Sequence, residues 1–231
     1  MSTSQIELIK TMRISHRFRF VFLSNPKCGS TTIRKILDKF TDLGDSPDKP
    51  PPYHPHTKAQ EIQELFQEEG WDLSKYWVFT TIRNPWSRMV SYYHYGRWDL
   101  NFRPFWDKLH DEESALKISF RDWIINWAEW QAPNWMFDRQ PLEKFCCDEK
   151  GNLLVNQIIP IEKIDQELPL LLDRLGIPLT KSKNDSIQHV NMTQYNPRQE
   201  YYDEETKSIV AEIFREDIRF GAYTFDDYNS Q

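Results

Sequence analysis

Two apolar runs, each turning directly into a helix start, constrain this chain more than any other feature. The first run is Phe18-Arg19-Phe20-Val21-Phe22-Leu23, whose aromatic and β-branched content reads as a buried strand over about residues 17–24. Asn25-Pro26-Lys27-Cys28-Gly29-Ser30-Thr31-Thr32 follows, and then Ile33-Arg34-Lys35-Ile36-Leu37, with Phe40 about one turn further. That spacing predicts a helix over residues 30–40. A strand that turns sharply into a helix leaves the first N–H groups of the helix without partners. Together with the positive end of the helix dipole they form an anion site. Gly29 lets the backbone approach a ligand closely, Ser30, Thr31 and Thr32 add hydroxyls, and Lys27 adds a mobile charge. The stretch reads as a cradle for a phosphate or phosphate-like group; the plainer alternative is a helix start decorated with Ser and Thr. It is not a Walker loop, because that motif has Lys after its last Gly, whereas Lys27 stands two residues before Gly29.

The second run is Tyr76-Trp77-Val78-Phe79-Thr80-Thr81-Ile82, followed by Arg83-Asn84-Pro85-Trp86. Asn84 suits an N-cap and Pro85 the first helical position, and Met89, Val90 and Tyr93 give the helix a packed face. Between the two runs, Thr57-Lys58-Ala59-Gln60 has the form of a capping box, Ile62, Leu65 and Phe66 keep helical spacing, and Gly70 can close the helix. The five prolines at 47, 50, 51, 52 and 55 predict an extended loop ahead of it, ending at Tyr53-His54-Pro55-His56. Strand and helix thus alternate, which predicts an α/β fold with a central, mostly parallel sheet flanked by helices, P-loop-like and three-layered. In such sheets ligands sit beyond the carboxyl ends of the strands, so both turns are expected to face one crevice.

Further along, the chain is expected to form a polar lead-in with a short helix near residues 6–12 and a helix carrying Phe120, Trp123, Ile124 and Trp127. A hairpin about Asp148-Glu149-Lys150-Gly151-Asn152 and a short strand at Ile158-Ile159-Pro160-Ile161 come next. A helix on Ile164, Leu168, Leu171, Leu172 and Leu175 is stopped by Gly176 and Pro178, residues 181–199 form a polar loop, and a closing helix spans residues 201–214. Trp127, Trp130 and Trp135 read mainly as core, with a sugar-stacking wall as the alternative. No linker interrupts the 231 residues, so one domain over 1–231 is expected.

Charge supports the cradle. Residues 1–40 hold eight Lys/Arg and two Asp/Glu, a balance of +6, while the whole chain stands at −6. A basic segment around the cradle suits an anionic ligand, whereas an acidic remainder argues against nucleic acid as a partner. No apolar stretch reaches transmembrane length, and the N-terminus lacks a signal pattern. Three cysteines, two of them adjacent, form neither a disulfide framework nor a metal-ligand spacing. The expected setting is cytoplasmic and soluble, with a Golgi lumen only where an anchor has been removed from the chain.

Two further features meet the cradle. Arg83 stands where the second strand ends, and Arg carries a fork of donors suited to phosphate; Ser91 lies about two turns into the next helix. His54 and His56 share a face of the extended segment, and His56 sits beside a helix start that keeps an imidazole neutral and able to take a proton. Each also has a plain reading, as a surface ion-pair residue, a packing serine or solvated loop histidines.

The stretch from Asn25 to Thr32 resembles the 5′-phosphosulfate-binding motif of sulfotransferases that use 3′-phosphoadenosine 5′-phosphosulfate (PAPS). Ile82-Arg83-Asn84-Pro85-Trp86-Ser87-Arg88-Met89-Val90-Ser91-Tyr92-Tyr93 resembles their 3′-phosphate-binding motif, with Arg and Ser eight apart. The chain is identified as similar to family-2 carbohydrate sulfotransferases, the group that includes heparan sulfate 2-O-sulfotransferase. Tyr53-His54-Pro55-His56 resembles the His-x-His of that enzyme, and His189-Val190-Asn191, Tyr201-Tyr202-Asp203, Ile209-Val210 and Asp217-Ile218-Arg219-Phe220-Gly221 resemble the family's end. The resemblance is strong over about 20–96 and 185–225, and weak between.

It implies that residues Cys28, Gly29, Ser30, Thr31 and Thr32 hold the 5′-phosphosulfate and that Lys27 stabilises charge on the leaving phosphate. Arg83 and Ser91 would hold the 3′-phosphate, with Arg198 a weaker candidate for a cofactor phosphate. His56, with His54 second and Glu61 or Glu64 behind them, would be the base, and no metal would be needed. The implied acceptor is a hydroxyl, most naturally on a saccharide or glycolipid. A kinase-like phosphotransferase using ATP and a non-catalytic nucleotide-binding module are the alternatives.

Overall fold

The computed structural model describes residues 13–42, 57–98, 118–129, 141–178 and 196–227. The chain divides into two compact units, Met1–Ile82 with Glu143–Asn191 and Arg83–Leu142 with Met192–Gln231.

The first unit is built on a four-stranded sheet, β1 (Arg13–Ser15), β2 (Phe20–Leu23), β3 (Trp77–Ile82) and β4 (Gln157–Pro160), in that spatial order. β1 pairs antiparallel with β2, while β2–β3 and β3–β4 are parallel. Both apolar runs are therefore strands of one mostly parallel sheet, as their composition requires. β1 is an addition: its three residues lie in what reads from sequence as a lead-in, and the pairing of Ile14 with Val21 draws it into the sheet.

Strand residues alternate between faces. Phe20, Phe22, Phe79 and Ile159 share one face and pack against Ile33 and Leu37 of α1 (Ser30–Leu37) and Ile164, Leu168, Leu171 and Leu172 of α6 (Ile164–Arg174). Burial of each such side chain contributes about 1.5–3 kcal/mol, so this face holds the strand ends, and hence the turns beyond them, in fixed positions. α1 ends in a short 3₁₀ turn, Asp38–Phe40.

The helix ends follow local chemistry. α2 (Ala59–Glu68) closes on Gly70, whose N–H donates to Gln67 O at 3.2 Å while Trp71 N–H donates to Phe66 O at 2.8 Å. α6 closes the same way, with Gly176 N–H donating to Asp173 O at 2.9 Å and Ile177 N–H to Leu172 O at 2.9 Å. The start of α2 lies one residue later than the sequence suggests. Lys58, not Thr57, is the N-cap, and the Glu61 carboxylate accepts from Lys58 N–H at 2.7 Å. Thr57 is buried instead. A lysine side chain has no acceptor, so only the Glu61 half of a capping box forms.

The expected hairpin near residue 150 is a single antiparallel bridge, Cys147 to Leu153, around a turn held by the Asp148 carboxylate. Phe145 and Cys146 belong not to a strand but to the helix α5 (Leu142–Cys146).

The second unit carries α3 (Pro85–Trp98), α4 (Phe120–Glu129), α7 (Glu204–Ile213) and α8 (Arg215–Gly221). The expected closing helix over 201–214 is α7, preceded by a 3₁₀ turn at Arg198–Glu200, and α8 is a further helix beyond it. Arg88 and Asp217 form a buried ion pair at 3.6 Å, and the Asp217 carboxylate also accepts from Leu142 N–H at 2.8 Å. The expected helix near residues 6–12, the Pro-rich loop and the polar loop over 181–195 lie outside the described residues, as do Trp130, Trp135 and the side chain of Trp127.

Candidate active site

The cradle begins where β2 ends. Leu23 O accepts from Asn25 N–H at 3.1 Å and from Thr80 Oγ1–H at 2.7 Å. The Asn25 amide donates to Thr81 O at 2.9 Å, and Thr81 Oγ1–H donates to Cys28 O at 2.8 Å. Asn25 O accepts in turn from Cys28 N–H at 3.3 Å. The loop is therefore bound on both sides by the Thr80-Thr81 pair of the neighbouring strand, and all four side chains, Asn25, Cys28, Thr80 and Thr81, are fully buried. The role of the two threonines is not legible in the sequence. Their only signal is a pair of hydroxyls inside an apolar strand, and the ordinary β-propensity of Thr already accounts for them there.

Two residues of the loop take left-handed backbone. Gly29 has φ 71°, and a Cβ built on it would lie 2.2 Å from Ile161 Cδ1, so only glycine fits. Lys27 has φ 60°. For a residue with a Cβ this costs on the order of 1 kcal/mol, a cost that persists where the surroundings impose it, commonly at functional loops.

The start of α1 differs from the other described helices. Gly29 is its N-cap and makes no side-chain cap bond, and the first turn holds no acidic residue. Each of the other described helices has a side-chain cap bond or an acidic residue in its first turn. Asn84 Oδ1 accepts from Ser87 N–H at 3.4 Å, the Glu61 carboxylate serves α2, and the Asp203 carboxylate accepts from Thr206 N–H at 2.8 Å at the head of α7. α4, α5, α6 and α8 each carry acidic residues in the first turn. Among the described helices, α1 alone has neither a side-chain cap bond nor an acidic residue in its first turn. Ser30 and Thr32 are buried there, Lys27 and Thr31 are half-buried, and Thr31 Oγ1 accepts from Arg34 at 3.3 Å. Cys28 contributes backbone only, since its thiol is packed in the core.

The second turn lies in the other unit. Arg83 is half-buried and Ser91 is buried on α3, one turn beyond Ser87 on the same face. Asn84 and Pro85 occupy the cap and first helical positions, as their residue types require. Arg198 is buried, and its guanidinium donates to Ser87 Oγ at 2.9 Å, to Phe225 O at 2.5 Å and to Asp227 O. Beside it, hydrogen bonds from the Thr224 hydroxyl and N–H hold the Asp227 carboxyl below the usual carboxylate range. Burial pushes the Tyr202 hydroxyl well up; it donates to Trp86 O at 2.9 Å. His54 and His56 lie outside the described residues. Among the described residues no group of three or more His, Cys, Asp or Glu gathers as a metal site.

Residues 10–224 match the model of the sulfotransferase family, Sulfotransfer_2. The chain belongs to the sulfotransferase family, the PAPS-dependent enzymes of sulfuryl transfer. No curated protein matches it. Among solved structures, it is similar to the mouse sulfotransferase SULT7A1, crystallised in complex with PAP, at 16% identity and a TM-score of 0.44. The match covers 89% of this chain and 86% of that one.

Proposed function

We propose that the chain, as a single sulfotransferase domain over residues 1–231, transfers the sulfuryl group of PAPS to a hydroxyl of a saccharide or glycoconjugate acceptor. The observation that carries the donor site is the start of α1, left without a side-chain cap or an acidic residue behind the left-handed Gly29.

PAPS would supply a sulfuryl group already joined to a good leaving phosphate. The amides and hydroxyls of Gly29, Ser30, Thr31 and Thr32 would hold the 5′-phosphosulfate, and Lys27 would neutralise charge as it develops on the departing phosphate oxygen. Arg83 and Ser91 would hold the 3′-phosphate, so that two anchors fix the donor's orientation. Arg198 is a weaker ligand, because its donors already serve Ser87, Phe225 and Asp227. His56, with His54 second, would take the proton from the acceptor oxygen as that oxygen forms its bond to sulfur and the bond from sulfur to the phosphate oxygen breaks. Glu61 is the weaker fallback, since its carboxylate caps α2. The needs are those of phosphoryl transfer, positioning and charge neutralisation, without a metal.

The three cysteines are free thiols, which supports a reducing, cytoplasmic setting, and no described helix is long and apolar enough to cross a membrane.

Calorimetry with 3′-phosphoadenosine 5′-phosphate (PAP) tests the donor site. Wild-type protein binds it, and Lys27→Ala and Arg83→Ala each weaken binding at least about tenfold, the equivalent of about 1.4 kcal/mol. Unchanged affinity in both variants overturns the assignment. His56→Ala is expected to keep PAP affinity and lose sulfate transfer; full activity in that variant moves the base to His54 or Glu61.

A further inference from the structure

The first three turns of α3 are tied to one downstream segment of the same unit. Asn84 Nδ2 donates to Thr224 O at 3.0 Å, and Trp86 Nε1 donates to Lys207 O at 3.0 Å. Tyr202 Oη donates to Trp86 O at 2.9 Å, and His94 Nε2 and Tyr201 Oη share a hydrogen bond at 2.8 Å. Arg198 stands at the centre of these ties. It is 3% exposed, it reaches Ser87 Oγ on the first turn of α3, and it also reaches the carbonyls of Phe225 and Asp227, which lie beyond α8. One planar, permanently charged group thus fixes three chain segments at once, a task for which a lysine's single ammonium lacks the geometry.

We propose that Arg198 is a positioning residue for the 3′-phosphate site. By gripping Ser87 it sets the first turn of α3, and with it Arg83 at the turn's entrance and Ser91 one turn on. In this role it acts through Ser87. The proposal rests on the reading that Arg83 and Ser91 bind the 3′-phosphate. The tie to Ser87 is local to that turn, whereas the cradle that would hold the 5′-phosphate is bound by Thr80 and Thr81. Loss of Arg198's grip should therefore affect recognition of the 3′-phosphate and spare recognition of the 5′-phosphate.

Two nucleotides separate those effects: PAP, which carries both phosphates, and AMP, which lacks the 3′-phosphate. Arg198→Lys keeps the charge and loses the fork, while Ser87→Ala removes only the tie to α3. In each variant we expect PAP affinity to fall about tenfold, as for loss of a hydrogen bond to a charged group, while AMP affinity stays within about twofold. In the double variant the PAP loss should match that of Arg198→Lys alone, because both changes break the same link. Should Arg198→Lys fail to fold, Ser87→Ala decides the matter. If wild-type protein binds PAP no better than AMP, the reading of Arg83 and Ser91 fails. If wild type prefers PAP and the soluble variants keep that full preference, or lose PAP and AMP affinity alike, the positioning role is overturned.

Discussion

At the scale of single residues, Lys27 shows a conflict between stability and chemistry. Its φ of 60° places a residue with a Cβ where glycine is favoured. A glycine at 27 relieves that strain and removes the ammonium in one change. Lys27→Gly is therefore expected to raise thermal stability by up to about 1 kcal/mol, part of the gain being offset by the greater chain entropy of unfolded glycine. The same variant is expected to lose sulfate transfer. Calorimetric unfolding and an activity assay on one preparation check both halves. A variant that is less stable, or that still transfers sulfate at the wild-type rate, shows that the left-handed Lys27 is not strain retained for its charge. Gly29 offers no such exchange, because the Ile161 side chain occupies the space any Cβ would need.

At the scale of elements, the helix caps connect local sequence to pH behaviour. The Asp203 carboxylate is held below its usual pKa, first by the Thr206 N–H, then by the Thr206 hydroxyl and by Arg121. A carboxyl whose folded pKa lies below its unfolded value stabilises the fold above the unfolded value, near pH 4, and loses that contribution as pH falls through the folded one. Asp203→Ala is thus expected to lower the melting temperature at pH 7, and the gap from wild type should narrow steadily below about pH 4. A gap that stays constant down to pH 2 would mean that the cap's charge contributes nothing. The helix ends also separate what is legible in the sequence from what is not. The glycines closing α2 and α6 and the Asn84-Pro85 start of α3 are local signals, and each element ends or begins where those residues place it. The start of α2 slipped by one residue because Thr57 and Lys58 compete for the cap, and burial of Thr57 settles that competition through tertiary packing. β1 escaped because three residues carry no period, and their state is decided by pairing with β2. From sequence Arg198 reads as an arginine of a polar loop and a weaker candidate for a cofactor phosphate; its structural role is not legible there. Its partners stand 27, 29 and 111 residues away, and no local pattern encodes a bond of that span.

At the scale of the whole molecule, the two proposed phosphate sites lie on separate stretches of the chain, the cradle at the start of α1 and Arg83 with Ser91 at α3. A ligand that binds only the folded state lends its binding free energy to whatever it touches, about 2.7 kcal/mol at a hundredfold excess over Kd. The two phosphates can therefore be followed separately by amide hydrogen exchange. AMP offers only a 5′-phosphate and is expected to slow exchange at the start of α1 while leaving the first turn of α3 unchanged. PAP, used at the same multiple of its own Kd, is expected to slow both. Protection of α1 by AMP and of α3 by PAP alone would assign each phosphate to its own turn. Protection confined to one unit with both nucleotides would instead leave the second turn without a role in donor binding, and Arg83 and Ser91 would return to being ordinary residues of a capped helix.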